Sequence, residues 1–191
     1  IRARYMRWEI TAKTPYTFFN NLGGRELTML TDVSPKQGFV RVPGPYGDCL
    51  KILNGLEANT KNANNLPLGS NDQFTMNVHI KPDVSLGGGI LVAGFGNPGN
   101  GSGRYFELIN GNLHFAGIDS GWAPPSTAWS MLTASFDGVH LSLYYDAIAL
   151  GTWPISFGAT SSELHLAPTD ANYSPTSYRG LIDEFLVWNY A

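Results

Sequence analysis

The sequence predicts an all-β protein built as a two-sheet antiparallel sandwich, and three observations carry that prediction. No segment keeps an apolar period of 3.6 residues over a helical length, whereas several alternate apolar and polar residues with a period of two. The clearest is residues 73–81, where Phe74, Met76, Val78 and Ile80 fall on one side and Thr75, Asn77, His79 and Lys81 on the other. Turn chemistry recurs throughout, with 22 Gly and 12 Pro, and Asn110-Gly111 and Asp137-Gly138 each separate two apolar stretches. Those dipeptides are the strongest short-range hairpin signals a sequence carries. About a dozen short strands at this spacing fit a sandwich.

Taken in order, residues 3–12 alternate Tyr5, Arg7 and Glu9 against Met6, Trp8 and Ile10 and predict a half-buried strand. Residues 17–19 and 26–31 are short strands around a turn at Asn20-Asn21-Leu22-Gly23-Gly24, and residues 38–42 precede a turn at Pro43-Gly44-Pro45. Residues 48–53 form a strand in which Cys49 acts as a small hydrophobe. Residues 54–72 are too polar for a long regular element, and residues 89–95 form a nearly continuous apolar strand. A flexible connection over residues 96–103 leads to paired strands at 104–109 and 112–117. A loop over 118–128 holds Trp122, and strands follow at 129–136, 139–145, 148–153 and 163–167. The last strand, within residues 178–188, carries Leu181, Asp183, Phe185 and Val187 on one side and Ile182, Glu184, Leu186 and Trp188 on the other. Its two carboxylates sit among apolar residues, where charge is costly unless something pairs with it.

Composition narrows the functional classes. The 191 residues suffice for one domain with a sizeable core, and residues 1–191 are read as a single domain. A net charge of −3 leaves no basic face for nucleic acid or an anionic membrane. No apolar run approaches the roughly 20 residues of a membrane helix. The single Cys49 excludes an internal disulfide and a multi-cysteine zinc site. Few lysines and abundant Asn, Ser, Thr and Gly suggest an extracellular setting. The start at Ile1, without an initiator Met or a signal-peptide pattern, is read as a processed chain or a piece of a larger protein.

Several segments together resemble the laminin G-like, concanavalin A-like jelly-roll family found in bacterial and phage multidomain proteins. Phe74 to Pro82 (F-T-M-N-V-H-I-K-P) is similar to its F-T strand, although His79 stands where tryptophan is usual. Pro45 to Ile52 (P-Y-G-D-C-L-K-I) and Trp8 to Thr11 (W-E-I-T) resemble earlier strands. Trp129 to Asp146 (W-S-M-L-T-A-S-F-D-G-V-H-L-S-L-Y-Y-D) resembles a paired-strand motif, with Ala147 in place of the usual glycine. Gly180 to Asn189 (G-L-I-D-E-F-L-V-W-N) resembles the closing strand. The resemblance implies a jelly-roll sandwich over nearly the whole chain. It also implies a structural calcium held by Asp183 with Glu9, Asn20 and Asn21 and backbone carbonyls, because calcium takes six to eight hard oxygens. Asn20 stands where the family usually has an acidic residue.

Carbohydrate recognition rests on loop aromatics, since sugar rings pack on flat side chains while their hydroxyls need polar partners. Trp122 is the first candidate, with Asp119, Asn97, Asn100 and Arg104 as hydrogen-bonding partners if the two loops share one end of the sandwich, and Tyr173 is a second aromatic. Trp122 can equally cap the end of the core. Catalysis has no supporting pattern. The paired carboxylates of the family's glucanase relatives, E-x-D-x-x-E, are absent, and His79, His114, His140 and His165 are dispersed without a nucleophile. Two readings follow: a non-catalytic module that binds glycan on a cell surface or polysaccharide, or a structural or adhesion domain of an extracellular or virion assembly that contacts protein. The oligomeric state is left open.

Overall fold

The computed structural model describes residues 9–10, 17–22, 25–30, 39–53, 58–60, 63, 66–83, 88–98, 102–126, 128–168 and 178–191. Among them every regular element is a strand. Strands β1 (Glu9–Ile10), β2 (Thr17–Leu22) and β3 (Arg25–Leu30) pair antiparallel in a sheet of their own. The pairing Asn20↔Leu27 and Asn21↔Glu26 makes Asn20 and Asn21 strand residues rather than the start of a turn. Continuing the ladder to Leu22↔Arg25 gives more backbone groups a partner, which decides the boundary.

The next strands are β4 (Phe39–Gly44), β5 (Gly47–Ile52), β6 (Ala58–Thr60), β7 (Phe74–Pro82), β8 (Gly89–Phe95), β9 (Arg104–Ile109) and β10 (Asn112–Phe115). They are followed by β11 (Ile118–Asp119), β12 (Ser130–Phe136), β13 (His140–Tyr145), β14 (Ile148–Pro154), β15 (Leu164–Leu166) and β16 (Gly180–Trp188). These build two antiparallel sheets, one of six strands in the order β11-β10-β9-β8-β15-β6 and one of seven in the order β14-β13-β12-β7-β16-β5-β4. Their inner faces enclose one apolar core, as the jelly-roll resemblance implies. β7 buries Phe74, Met76, Val78 and Ile80 completely, following the alternation of its sequence. At one end Phe74, Phe136 and Phe157 pack their rings 4.8 to 5.7 Å apart. Deleting a core phenylalanine of this kind costs on the order of 3–5 kcal/mol.

Several boundaries differ from the sequence reading. β4 runs through Pro43 to Gly44 and turns at Pro45-Tyr46, because β4 is an edge strand where a missing N–H is tolerated. Ile118 and Asp119 form β11 rather than loop, joined to β10 by a tight turn at Ala116 and Gly117, both at positive φ. In the β12–β13 connection the loop residues are Gly138 and Val139, since the Asp137 N–H bonds His140 O at 3.2 Å. The Asp137 carboxylate then accepts the N–H groups of Val139 and His140 at 2.8 and 2.7 Å. The interval read as irregular before β7 contains β6, which pairs with β15.

The final strand departs most. Its register against β7 shifts between Asp183 and Leu186, with Glu184 at φ 43. This bulge places one extra residue in the strand and resets the alternation. Ile182 and Phe185, predicted on opposite sides, therefore both enter the core, at 2% and 0% exposure.

Candidate functional site

The described residues of the predicted sugar cluster are not all brought together. Arg104, at the start of β9, is fully buried near Phe74, Phe95 and Phe157. Its guanidinium donates to the carbonyls of Gly69 at 2.8 Å, Gly158 at 3.3 Å and Ser102 at 3.4 Å. Burial lowers its pKa from the usual arginine value, and Asp72 opposes that shift. Phe74 pairs with Phe136, so Arg104 belongs to that end of the sandwich. Trp122 belongs to the other end. Its ring stacks on Tyr145 with centroids 4.3 Å apart and planes 16° apart, and Tyr145 pairs with Leu132 at the far end of β12. Trp122 is half-buried against the core, the capping role that stood beside the ligand role in the sequence.

Asp119 sits in β11 within its own hairpin. It accepts the N–H of Gly121 at 2.8 Å, which lowers its pKa, with Asn112 at 3.4 Å and His114 at 3.5 Å. Asn97 is exposed beside the β8–β9 connection. Asn100 and Tyr173 lie outside the described residues, as does Trp8.

The outward face of the seven-stranded sheet assembles a different group. The polar half of β7's alternation must point away from the core, which sets Thr75, Asn77 and His79 in one line. Pairing with β16 lays Trp188 beside Thr75, Leu186 beside Asn77 and Asp183 beside His79. Four shielded atoms on these two strands have no hydrogen-bond partner among the described residues: Asn77 Oδ1, His79 Nδ1, Asp183 Oδ2 and Trp188 Nε1. Buried polar groups are nearly always paired, and leaving one unpaired costs about 1–3 kcal/mol.

The tip of the β4–β5 hairpin borders this strip. Tyr46 is 64% exposed, and its ring meets His79 edge-on with centroids 4.9 Å apart. The other Asp183 oxygen accepts the Glu184 N–H at 2.9 Å, and the Tyr46 backbone also bonds this carboxylate. Burial is the main cause raising the Asp183 pKa. Gly44 makes room for it, since a Cβ there would stand 3.0 Å from Asp183 Oδ2 and 2.7 Å from Cys49 Cβ. Burial likewise lowers the His79 pKa, with Asp146 opposing. Nothing in the sequence announces the strip except the alternation itself, which marks Asn77 and His79 as outward.

The groups about Asp183 bear on calcium. Among the described residues its neighbours are Cys49, His79, Tyr46 and Glu184, which together do not furnish six hard oxygens. The remaining oxygens would come from Glu9, Asn20 and Asn21, which belong to β1 and β2 and whose side chains lie outside the described residues. No group of three or more His, Cys, Asp or Glu side chains suited to a metal occurs among the described residues.

One further carboxyl stands apart. Glu107 points outward from β9 on the other sheet, is 6% exposed, and its Oε2 has no partner among the described residues. Burial raises its pKa to about 7. It pairs across the ladder with His114, whose Nε2 lies 3.5 Å from Asp119.

The family Laminin_G_3, described as the concanavalin A-like lectin/glucanases superfamily, matches residues 55–191. No curated protein matches the sequence. Solved structures share the fold at low identity. Domain 4 of AbnA, an extracellular arabinanase from Geobacillus stearothermophilus solved with arabinotriose, is 20% identical with a TM-score of 0.60, covering 80% of this chain and 76% of that one. The binding domain of botulinum neurotoxin serotype D/C is 12% identical with a TM-score of 0.62, covering 98% of this chain and 49% of that one. Trypanosoma rangeli sialidase, solved with sialic acid, is 14% identical with a TM-score of 0.62, covering 98% of this chain and 30% of that one.

Proposed function

The chain belongs to the concanavalin A-like lectin/glucanases superfamily, and from that premise we propose that it is a non-catalytic module that binds carbohydrate through the outward face of its seven-stranded sheet. The observation that carries the reading is the strip of four polar atoms on β7 and β16 that have no partner among the described residues. Two are acceptors, one is a donor, and the imidazole nitrogen is either according to its tautomer. Sugar hydroxyls both donate and accept, so one ligand class satisfies all four. The terminal torsions of Asn77, His79 and Asp183 are soft, so a small rotation turns each group towards a ligand. Tyr46 adds an exposed ring at the border.

The non-catalytic part of the proposal is supported by the placement of the carboxylates. Asp183 and Glu184 are adjacent at a bulge, and Glu107 is on the other sheet. The structures that share the fold include one solved with arabinotriose and one solved with sialic acid. An extracellular setting, on a larger protein, belongs to the same proposal. No helix among the described residues is long and apolar enough to cross a membrane.

The test is a glycan array probed with the protein and with an Asn77→Ala/Asp183→Asn variant, with and without calcium. Binding by the parent that the variant loses supports the reading. Binding that requires calcium assigns Asp183 to an ion as well. Binding lost on Trp122→Ala but kept in the strip variant moves the site to the Trp122 end. No glycan bound under any condition favours the structural or adhesion reading, with protein as the partner.

A further inference from the structure

The outward face of the six-stranded sheet is shielded, although neither sheet of the sandwich can shield it. Alternation sends Phe106 and Leu108 of β9 and Leu164 and Leu166 of β15 into the core, so Tyr105, Glu107 and His165 point the other way. Leu91 of β8, the cross-strand partner of Glu107, joins them. None of these four belongs to the core cluster between the sheets, yet Leu91 is 3%, Tyr105 2%, and Glu107 and His165 6% exposed. Shielding fades along the strand order: the His114 side chain on β10 is 13% exposed, and that of Asp119 on β11 reaches 50%. A layer therefore lies over this face from the β6 side and ends near β10.

The sheet β1–β3 has the complementary need. Its ladder pairs Ile10 with Phe18 and Phe18 with Met29, and steps of two along β2 and β3 add Leu22 and Leu27 to the same face. That face adds only Asn20 and Arg25, whereas the opposite one holds Glu9, Thr17, Asn21, Glu26 and Thr28 beside Phe19 and Leu30. A three-stranded sheet with one apolar face has to bury it against another layer. β3 lies against β6, the end strand of the six-stranded sheet, without pairing with it, so it packs on that sheet rather than extending it. The dimensions agree: three strands side by side are about 14 Å wide, and the three intervals from β6 to β9 also come to about 14 Å. These strands precede residues 55–191, which the family matches.

We infer that the outward face of the six-stranded sheet is a docking surface for this chain's own sheet β1–β3, whose Phe18–Met29 face is seated over Leu91, Tyr105, Glu107 and His165 as a third layer. The layer closes the six-stranded sheet to outside partners and leaves the seven-stranded sheet as the open face of the module. It also accounts for a carboxyl on an outward position being as dry as Glu107. Whatever the seven-stranded sheet binds, the docking of β1–β3 is a separate matter and is tested separately.

The experiment is amide hydrogen exchange on the full chain, comparing the parent with Leu91→Arg by mass spectrometry. A charge placed beneath the layer should release it, so exchange over residues 17–30 rises about tenfold or more while β7 and β12 keep their protection. Hydroxyl-radical labelling reads the other side of the contact. Phe18→Asp should raise the labelling of Leu91 and Tyr105 several-fold, and Thr28→Asp, on the opposite face of the same strands, should leave it level. Unchanged exchange over residues 17–30 in Leu91→Arg, or unchanged labelling of Leu91 in Phe18→Asp, overturns the inference and assigns the cover to another segment. Protection lost from β7 and β12 together with residues 17–30 overturns it as well, because the shielded face would then be inseparable from the core. Should Leu91→Arg fail to fold, the labelling of Phe18→Asp against Thr28→Asp decides alone.

Discussion

Arg104 and the β7–β16 strip hold the molecule's two most telling groups of polar side chains, and they treat burial in opposite ways. Arg104 is buried more completely than any member of the strip, yet its two terminal nitrogens are spent on three carbonyls and its plane lies near three phenylalanine rings. It ties residues 69, 102 and 158 to the core, and its Nε lacks a partner among the described residues. Asn77, His79, Asp183 and Trp188 are less buried, but each keeps an atom with no partner among the described residues. A polar group satisfied by the backbone is part of the scaffold. A row of groups shielded and, among the described residues, unsatisfied is what the proposed ligand would bond.

Mutations can break that contrast, beginning with the largest effect. Arg104→Ala removes the donors of three carbonyls and leaves a void beside aromatic rings, so a loss of about 3 kcal/mol or more is expected in urea denaturation. Carbohydrate affinity per folded molecule should not change. A large loss of affinity with little loss of stability would place Arg104 in the binding site after all.

Glu107 sharpens the same contrast on the other sheet. Its folded-state pKa of about 7 exceeds the ordinary 4.5, so the folded protein holds this proton more tightly than the unfolded chain. Stability is therefore lost as pH rises from about 4.5 to about 7, by roughly 3 kcal/mol in all at about 1.4 kcal/mol per tenfold in proton affinity. Glu107→Gln should be the more stable protein at pH 8, by up to that amount, and indistinguishable at pH 4. Melting curves at the two pH values check it; equal curves at pH 8 would mean that the carboxylate finds a partner.

A smaller effect probes a turn that adjoins the strip through Asp146. Asp146 and Ala147 both have positive φ in the β13–β14 turn. An alanine there carries a penalty of roughly 1 kcal/mol that glycine escapes. Ala147→Gly should raise the melting temperature by a few degrees and leave binding untouched.

How much of this was legible depends on the range of the interactions. The core face of β7 and the Asn110-Gly111 turn follow from neighbours in sequence, and the structure has them as read. The bulge at Glu184 was not legible, because it is a mismatch of register between β16 and β7, about a hundred residues apart in the chain. Arg104 was read as a ligand-binding candidate at the start of a strand, beside a glycine-rich connection. Its carbonyl partners lie 35 and 54 residues away, and no local pattern points to them. Whether Trp122 bound ligand or capped the core was left open for the same reason, since its partner Tyr145 arrives from the opposite sheet. The strip itself could be half seen: alternation turned Asn77 and His79 outward, but only the register brought Asp183 and Trp188 beside them.

The most direct test is calorimetric titration of the protein and of Asn77→Ala/Asp183→Asn with a carbohydrate that the parent binds on the array, with melting curves run on both. The account predicts that the variant loses about tenfold or more in affinity while its melting temperature stays level or rises, because the groups removed were unsatisfied in the free protein. Unchanged affinity, or a loss that only tracks a fall in melting temperature, would contradict it and make the strip part of the scaffold like Arg104.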